Sequence, residues 1–269
     1  MLKQKPFLKW AGNKFHCLDP IVSSLPKANR LIEPFTGSGA IFLNSSYQTY
    51  LLGEENYDLI SLYQNLQYYK QTFIDYCKTF FIPGTNQESV YYKLREEFNA
   101  SRYTQRRAAL FLYLNRHGYN GLCRYNLKGK YNVPFGRYKK PYFPQQEMLY
   151  FVDKCQISEF VHGGFEKTFA LAKPGDIIYC DPPYVPRDQK SHFTAYAGKR
   201  FTQEAQIHLA KLAQEGANKG ITVLISNHDT PFIRKQYAGS DIKSFSVSRT
   251  INCKGNQRKK VREILAIFR

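Results

Sequence analysis

Apolar residues gather in short runs, each closed by polar or small residues. Arg30 to Pro34, Tyr50 to Leu52, Asp176 to Cys180 and Ile221 to Ser226 read as buried parallel strands, and Glu263 to Phe268 reads as a fifth strand. Between Phe201 and Gly220 the period changes. Ile207, Leu209, Ala210, Leu212 and Ala213 supply the apolar side of a helix, which Thr202 can cap, Glu204 suits in its first turn and Gly220 can end. Helix and strand in alternation predict an α/β fold with a parallel sheet.

From about Asp58 to Pro144 the pattern differs. Gln87 to Ala100 and Gln105 to Leu114 look helical, and a Tyr/Asn/Gly/Lys-rich stretch runs from Arg116 to Pro144. This predicts a discontinuous catalytic domain, residues 1–57 and 145–269, interrupted by a mainly helical second domain, residues 58–144. Lys128, Lys130, Arg137, Lys139 and Lys140 alternate with Tyr119, Tyr125, Tyr131 and Tyr138. Such a pattern suits a hairpin or loop set lying on nucleic acid, or equally a solvated basic loop with packed tyrosines.

Charge tilts that choice. The chain has 269 residues, with 39 Lys and Arg against 21 Asp and Glu, for a formal net charge of +18 that attracts polyanions. No apolar run approaches the length of a membrane span, and Met1 to Trp10 holds Lys3, Lys5 and Lys9 rather than an apolar signal core. The six cysteines are scattered without a Cys-x-x-Cys pair, which argues against a zinc site or disulfide framework and suits a reducing cytoplasm.

Three segments carry chemistry. Glu33-Pro34-Phe35-Thr36-Gly37-Ser38-Gly39 follows the first strand, where glycines allow positive φ and close approach of a ligand. Phe42 stands where a dinucleotide loop has its third glycine, so a nucleotide-like ligand without a buried pyrophosphate fits better, although a tight structural turn is the plainer reading of Gly-x-Gly alone. About 20 residues on, Glu54 and Glu55 end the second strand, where a carboxylate can accept from ribose hydroxyls. Asp181-Pro182-Pro183-Tyr184 then follows the buried run Asp176 to Cys180. Prolines donate no N–H, so the Asp181 carboxylate and the Pro182 carbonyl offer two acceptors for an exocyclic NH₂, and Tyr184 offers a face for a base. Two acceptors favour a more tetrahedral, more nucleophilic amine. A base presenting that amine must leave the duplex stack.

On these residues the chain resembles the DNA adenine methylase (Dam) family, in its alpha-group order of motifs, over essentially its whole length. Phe7 to Lys14 looks like the family's amino-terminal cofactor motif, Glu33 to Gly39 its glycine motif and Asp181 to Tyr184 its catalytic motif. Leu114 to Asn126 and Asn132 to Tyr138 resemble its recognition hairpin. The resemblance implies a Rossmann-like fold, S-adenosyl-L-methionine as cofactor and double-stranded DNA as partner. It implies catalytic roles for Asp181, Pro182, Pro183 and Tyr184, and cofactor contacts at Trp10, Ala11, Gly12, Lys14, Glu33, Phe35, Gly37, Gly39, Glu54 and Asp181. It implies DNA contacts at Lys9, Tyr119, Asn120, Leu122, Arg124, Asn132, Pro134, Arg137, Tyr138 and Lys139, with Lys140 beside them on phosphate, and the adenine of GATC as target. A monomer acting in the cytoplasm is expected. Two departures bear on cofactor affinity: Asn13 stands where a second Gly is usual, and Glu54 where Asp is usual.

Two other readings remain: an enzyme acting on an amine in RNA or on cytosine N4, and a DNA-binding relative without activity. Asp rather than Ser before Pro-Pro-Tyr leans toward adenine, and intact Trp10, Lys14, Gly37, Gly39 and Asp181 speak against loss of activity.

Overall fold

Apolar side chains alternate between two faces along every central strand, and this builds the molecule around one sheet. The computed structural model describes residues 3–102, 104–184, 195–196, 199–248 and 260–269. Within them, short helix α1 (Leu18–Val22) precedes β1 (Arg30–Glu33), α2 (Ala40–Asn44) and β2 (Thr49–Glu54). Helices α3 (Tyr57–Lys78), α4 (Glu88–Ala100), α5 (Thr104–His117) and α6 (Gln145–Lys154) follow. The chain then returns through β3 (Ser158–His162), α7 (Phe165–Ala170) and β4 (Ile177–Cys180). A two-strand pair, β5 (Ala195–Tyr196) and β6 (Lys199–Arg200), stands apart from the main sheet. Helix α8 (Gln203–Asn218), β7 (Thr222–His228), α9 (Pro231–Gln236), β8 (Asp241–Ser248) and β9 (Lys260–Phe268) complete the order.

The seven-stranded sheet runs β3-β2-β1-β4-β7-β9-β8. Strands β3, β2, β1, β4 and β7 pair in parallel, while β9 is antiparallel to both β7 and β8. Leu31, Tyr50, Leu52, Ile177, Tyr179 and Leu224 enter one core; Ile32, Leu51, Ile178, Cys180, Val223 and Ile225 enter the other. Strands covered on both faces read as continuous apolar runs, which is why these were legible. Chain order reverses between β1 and β4, so the loops after these two strands flank the crevice where open α/β sheets take ligands.

The expected strands β1, β2, β4, β7 and β9 are all present, and Thr202 caps α8 by accepting from the Ala205 N–H at 3.3 Å. Strands β3 and β8 are additional. The insert shares the first core: Phe7, Leu31 and Tyr50 belong with Tyr63, Phe98, Phe111, Tyr113, Tyr131 and Val133 in one cluster. Ala108 to Leu114 of α5 are each at most 1% exposed, so this helix is wrapped on all sides. The segment after α5 folds back through a turn at Asn126–Gly129, where Gly129 has φ 70° and the Asn126 side chain accepts from Lys128 and Lys130 N–H groups. Its two arms make isolated antiparallel bridges, Gly118 with Phe135 and Tyr125 with Tyr131, rather than a continuous ladder. Among the described residues no helix is long and apolar enough to cross a membrane.

Candidate active site

Strand β4 delivers Asp181 to the crevice directly after Cys180, which is fully buried. Lys14 Nζ lies 2.8 Å from Asp181 Oδ1 and 4.0 Å from Glu263 Oε2. It also lies 4.6 Å from the centroid of the Tyr184 ring, and the Tyr184 hydroxyl donates to Glu263 at 3.1 Å. His228, paired with Glu263 across β7 and β9, meets Tyr184 edge-on at 4.3 Å. Lys14 is only 6% exposed and Glu263 5%, so one ammonium serves two carboxylates in a site largely shielded from water. The Pro183 carbonyl accepts from Gln206 Nε2 at 3.0 Å. Gln206, wholly buried on α8, accepts in turn from Asn227 Nδ2 at 3.0 Å. The prolines therefore rest on a bonded polar support from α8 and β7.

Across the crevice the chain turns sharply after β1. Gly37 and Gly39 take φ of 49° and 72°, as their place in the loop requires. The Gly37 N–H donates to Glu54 Oε2 and the Asn56 N–H to Glu54 Oε1, both at 3.1 Å. The longer Glu54 side chain thus ties the glycine loop to the end of β2. A Cβ on Gly37 would lie 2.9 Å from Trp10 Nε1, so the indole sits against the loop's bare backbone. Asn13 takes φ −58° and needs no glycine; its side chain accepts from the Phe15 N–H at 3.1 Å and starts the turn that carries Lys14. Gly12, with φ 78°, lends its carbonyl to Lys14 Nζ at 3.3 Å. Phe35 stacks on Phe165 at 5.5 Å.

Burial sets the electrostatics. It pushes the Glu33 carboxyl up to about 8, with Asp181 adding to the rise, and Glu33 Oε1 is buried without a hydrogen-bond partner. Burial likewise raises Asp181 and Glu54 above the usual carboxylate range, the pull of Lys14 on Asp181 offsetting only part of it. Burial alone would lower Lys14, but Asp181 and Glu263 together raise it, so the ammonium stays charged. Tyr184 is held protonated by burial and by both carboxylates.

The expected DNA-contact residues lie on the segment after α5 and on Lys9, which meets that segment at Tyr138. Tyr119 is 50% exposed, and Asn120 takes φ 52° in the same turn. Tyr119 N–H donates to the Pro134 carbonyl at 2.9 Å, which joins the two arms of the segment. Half-buried Leu122 packs on the core. Exposed Arg124 donates from Nε to Asn132 Oδ1 at 2.7 Å and from Nη2 to the Asn132 carbonyl at 3.1 Å. Lys9 Nζ stands 3.9 Å over the Tyr138 ring. Arg137, at φ 53°, faces Glu88 at 3.5 Å as an exposed pair, and Lys139 is exposed. Buried Tyr131 and Val133 anchor the segment, the Val133 carbonyl accepting from the Tyr91 hydroxyl at 3.0 Å.

A shared family accounts for this arrangement. Residues 10–251 match the model for the D12 class N6 adenine-specific DNA methyltransferase. The chain belongs to that family. It is 48% identical over 269 residues to the DNA adenine methylase of Escherichia coli (strain K12), covering 100% of this chain and 97% of the relative. It is 47% identical over 269 residues to the DNA adenine methylase of Vibrio cholerae serotype O1 (strain ATCC 39541 / Classical Ogawa 395 / O395), with the same 100% and 97% coverage. It is 48% identical over 270 residues to that of Haemophilus influenzae (strain ATCC 51907 / DSM 11121 / KW20 / Rd), covering 99% and 94%. The enzyme is a DNA adenine methyltransferase that uses a methyl donor.

Sequence reasoning missed three supporting residues of this methyltransferase. Glu263 appears only as a polar position in an apolar strand, yet it faces Lys14 and Tyr184. Gln206 sits inside a helix, and only the packing of α8 on β7 brings it to Pro183. Asn115 lies in the recognized hairpin stretch but points inward, 1% exposed.

Proposed function

We propose that this methyltransferase uses S-adenosyl-L-methionine to methylate N6 of adenine in duplex DNA, within GATC, after the base has left the stack. The placement of Asp181 and Tyr184 across the crevice from the glycine loop carries this reading. Three features fit the cofactor: the Glu33 oxygen without a partner, the bare Gly37 backbone under Trp10, and the Glu54 carboxylate at the end of β2. Trp10, Ala11, Gly12, Lys14, Glu33, Phe35, Gly37, Gly39, Glu54 and Asp181 would hold it. When bound, it supplies an activated sulfonium methyl.

The chain's own residues then act on the base. Adenine N6 is a weak nucleophile because its lone pair is delocalised. Asp181 Oδ and the Pro182 carbonyl accept its two hydrogens; the Pro183 carbonyl is engaged by Gln206 and serves to fix the peptide. In-line placement by these residues would let the N–CH3 bond form as the donor's S–CH3 bond breaks and the neutral thioether leaves, and the amine would become acidic only as that bond forms. Lys14 and the Tyr184–Glu263 bond hold Asp181 and the stacking ring in place while positive charge develops on nitrogen. The proton then leaves through Asp181 or water. Residues 58–144 would serve as the recognition unit. Lys9, Tyr119, Asn120, Leu122, Arg124 and Pro134 would meet bases or the opened step, Asn132 would hold Arg124 toward them, and Arg137, Tyr138, Lys139 and Lys140 would meet phosphates. We place the enzyme in the cytoplasm as a monomer.

Labelled S-adenosylmethionine incubated with a GATC duplex, a scrambled duplex and RNA tests this. Label is expected in N6-methyladenine of the GATC duplex alone. Equal labelling of scrambled DNA removes the GATC reading, and label in RNA or in N4-methylcytosine removes the adenine-in-duplex reading. Asp181→Ala should abolish transfer with DNA affinity retained; loss of both together would count against Asp181 as amine acceptor.

A further inference from the structure

Two neighbouring residues, Lys9 and Trp10, seat against two different glycines. Trp10 lies on Gly37 of the cofactor loop, and a Cβ on Gly121 of the recognition turn would overlap the Lys9 side chain. Gly121 takes φ 62°, so both the conformation and the space exclude a side chain there. Buried Asn115 fastens this seam. Its Oδ1 accepts from the Lys9 N–H at 3.0 Å, while its Nδ2 donates to the Lys9 carbonyl at 2.7 Å and to the Gly121 carbonyl at 3.2 Å. Its donors and acceptor are thus spent on backbone of two segments that lie far apart in the chain. The Lys9 carbonyl belongs to the peptide that leads into Trp10, so the amide grips the backbone between the two sites.

We propose that Asn115 is a positioning residue that couples occupancy of the cofactor site to the geometry of the recognition turn. The proposal rests on the cofactor and DNA roles given above. A ligand that moves the Trp10 indole on Gly37 shifts the 9–10 peptide. Through Asn115 and the Lys9 stem that shift reaches Gly121, and with it Tyr119 and Asn120. The relation is reciprocal, so DNA that reshapes the turn must alter the Trp10 seat by the same free energy. An interior amide with every group satisfied transmits position well, because any displacement leaves a buried polar group unpaired.

Trp10 is the chain's single tryptophan and reports on its own seat. Its emission is followed in the wild type, in Asn115→Ala and in Asn115→Asp, on adding S-adenosylhomocysteine or a GATC duplex separately. Affinity for S-adenosylhomocysteine is measured with and without duplex, and thermal melts establish that each variant is folded. Both ligands should change emission in the wild type. The duplex should raise S-adenosylhomocysteine affinity about fivefold or more. Either variant should keep the response to S-adenosylhomocysteine while losing the response to duplex and the affinity gain. Asn115→Asp keeps the side chain's size and its Oδ acceptor but loses both amide donors, should Asn115→Ala not fold. An unchanged affinity gain in a folded variant overturns the coupling, as does a wild type whose emission ignores duplex. No response of wild-type Trp10 to S-adenosylhomocysteine would instead overturn the cofactor reading itself. A purely structural Asn115 would lower the melting temperature and both affinities but leave the gain intact.

Discussion

Lys14 and Asp181 form an ion pair at 2.8 Å with side chains 7% and 19% exposed, and Glu263 shares the same ammonium at 4.0 Å. Removing the cation leaves two shielded carboxylates facing each other. Breaking a buried pair from one side costs about 3–5 kcal/mol, so Lys14→Met should lower the unfolding free energy toward the lower end of that range. It should also raise Asp181 further and reduce transfer at neutral pH by roughly a hundredfold. Chemical denaturation and single-turnover methylation check both. Wild-type stability with wild-type transfer would remove Lys14 from its role as counter-ion.

The contact proposed for Lys9 should make DNA binding pH-dependent. Burial, then the Arg116 guanidinium, brings its ammonium down to about 8. It is charged below that pH and loses its charge above it, so affinity for duplex should fall between pH 7 and 9 beyond any change in Lys9→Gln. Nearby DNA phosphates favour the charged form, so binding should take up protons in this range. The sign for stability is opposite. The folded state releases its proton before the unfolded chain does, so Lys9 contributes stability that rises with pH from about 8 to 10.5. Fluorescence anisotropy of a labelled duplex at fixed salt, with both proteins across this range, reads the difference. Parallel pH curves would show that Lys9 carries no titrating charge to DNA.

Glu33 behaves as a buried acid. Its carboxyl is held at about 8 by burial and by Asp181, so between its ordinary value near 4.5 and about 8 the folded protein keeps a proton that the unfolded chain gives up. Stability from this group is full below that window and is lost as pH rises through it. Glu33→Gln keeps the shape without the titration. Its melting temperature should fall less between pH 5 and 8 than the wild type's, while its affinity for S-adenosylhomocysteine should drop. An identical pH dependence in both proteins would place the Glu33 titration elsewhere.

Much of this site lay open in the sequence because its motifs sit at strand ends, and the buried strands announce themselves as apolar runs. Asp181, Glu33 and Glu54 were placed that way. Strand β8 carried a readable signal too: Asp-Ile-Lys-Ser-Phe-Ser-Val-Ser alternates, as an edge strand open to water on one side does. Strand β3, half-exposed at the opposite edge, has too little apolar contrast to stand out. The recognition segment resembled a hairpin, but its arms are fixed by Tyr131 and Val133 in the core and by Tyr91 and Asn115 rather than by a ladder. Such supports depend on packing between elements remote in the chain. No local pattern distinguishes Asn115 from its half-buried neighbour Arg116, or Glu263 from a solvent-facing strand residue.

Asn132 fixes which edge of the Arg124 guanidinium stays open, the edge proposed to meet DNA. Arg124 spends Nε and one Nη2 hydrogen on the Asn132 side chain and carbonyl, which leaves the Nη1–Nη2 end of the fork for a base. A planar guanidinium held this way loses less freedom on binding and discriminates by direction. Arg124→Ala should therefore lose about 1–3 kcal/mol of discrimination at one base pair, roughly fivefold to 150-fold in kcat/KM between cognate and altered duplexes. Asn132→Ala, which removes the Oδ1 acceptor but leaves the carbonyl, should lose a smaller part at that same base pair. The double variant should match Arg124→Ala, because Asn132 acts through Arg124. Methylation rates on duplexes altered one base pair at a time give the cycle. Additive losses would mean that Asn132 reads DNA on its own account, and a uniform loss across all duplexes would make Arg124 a phosphate contact.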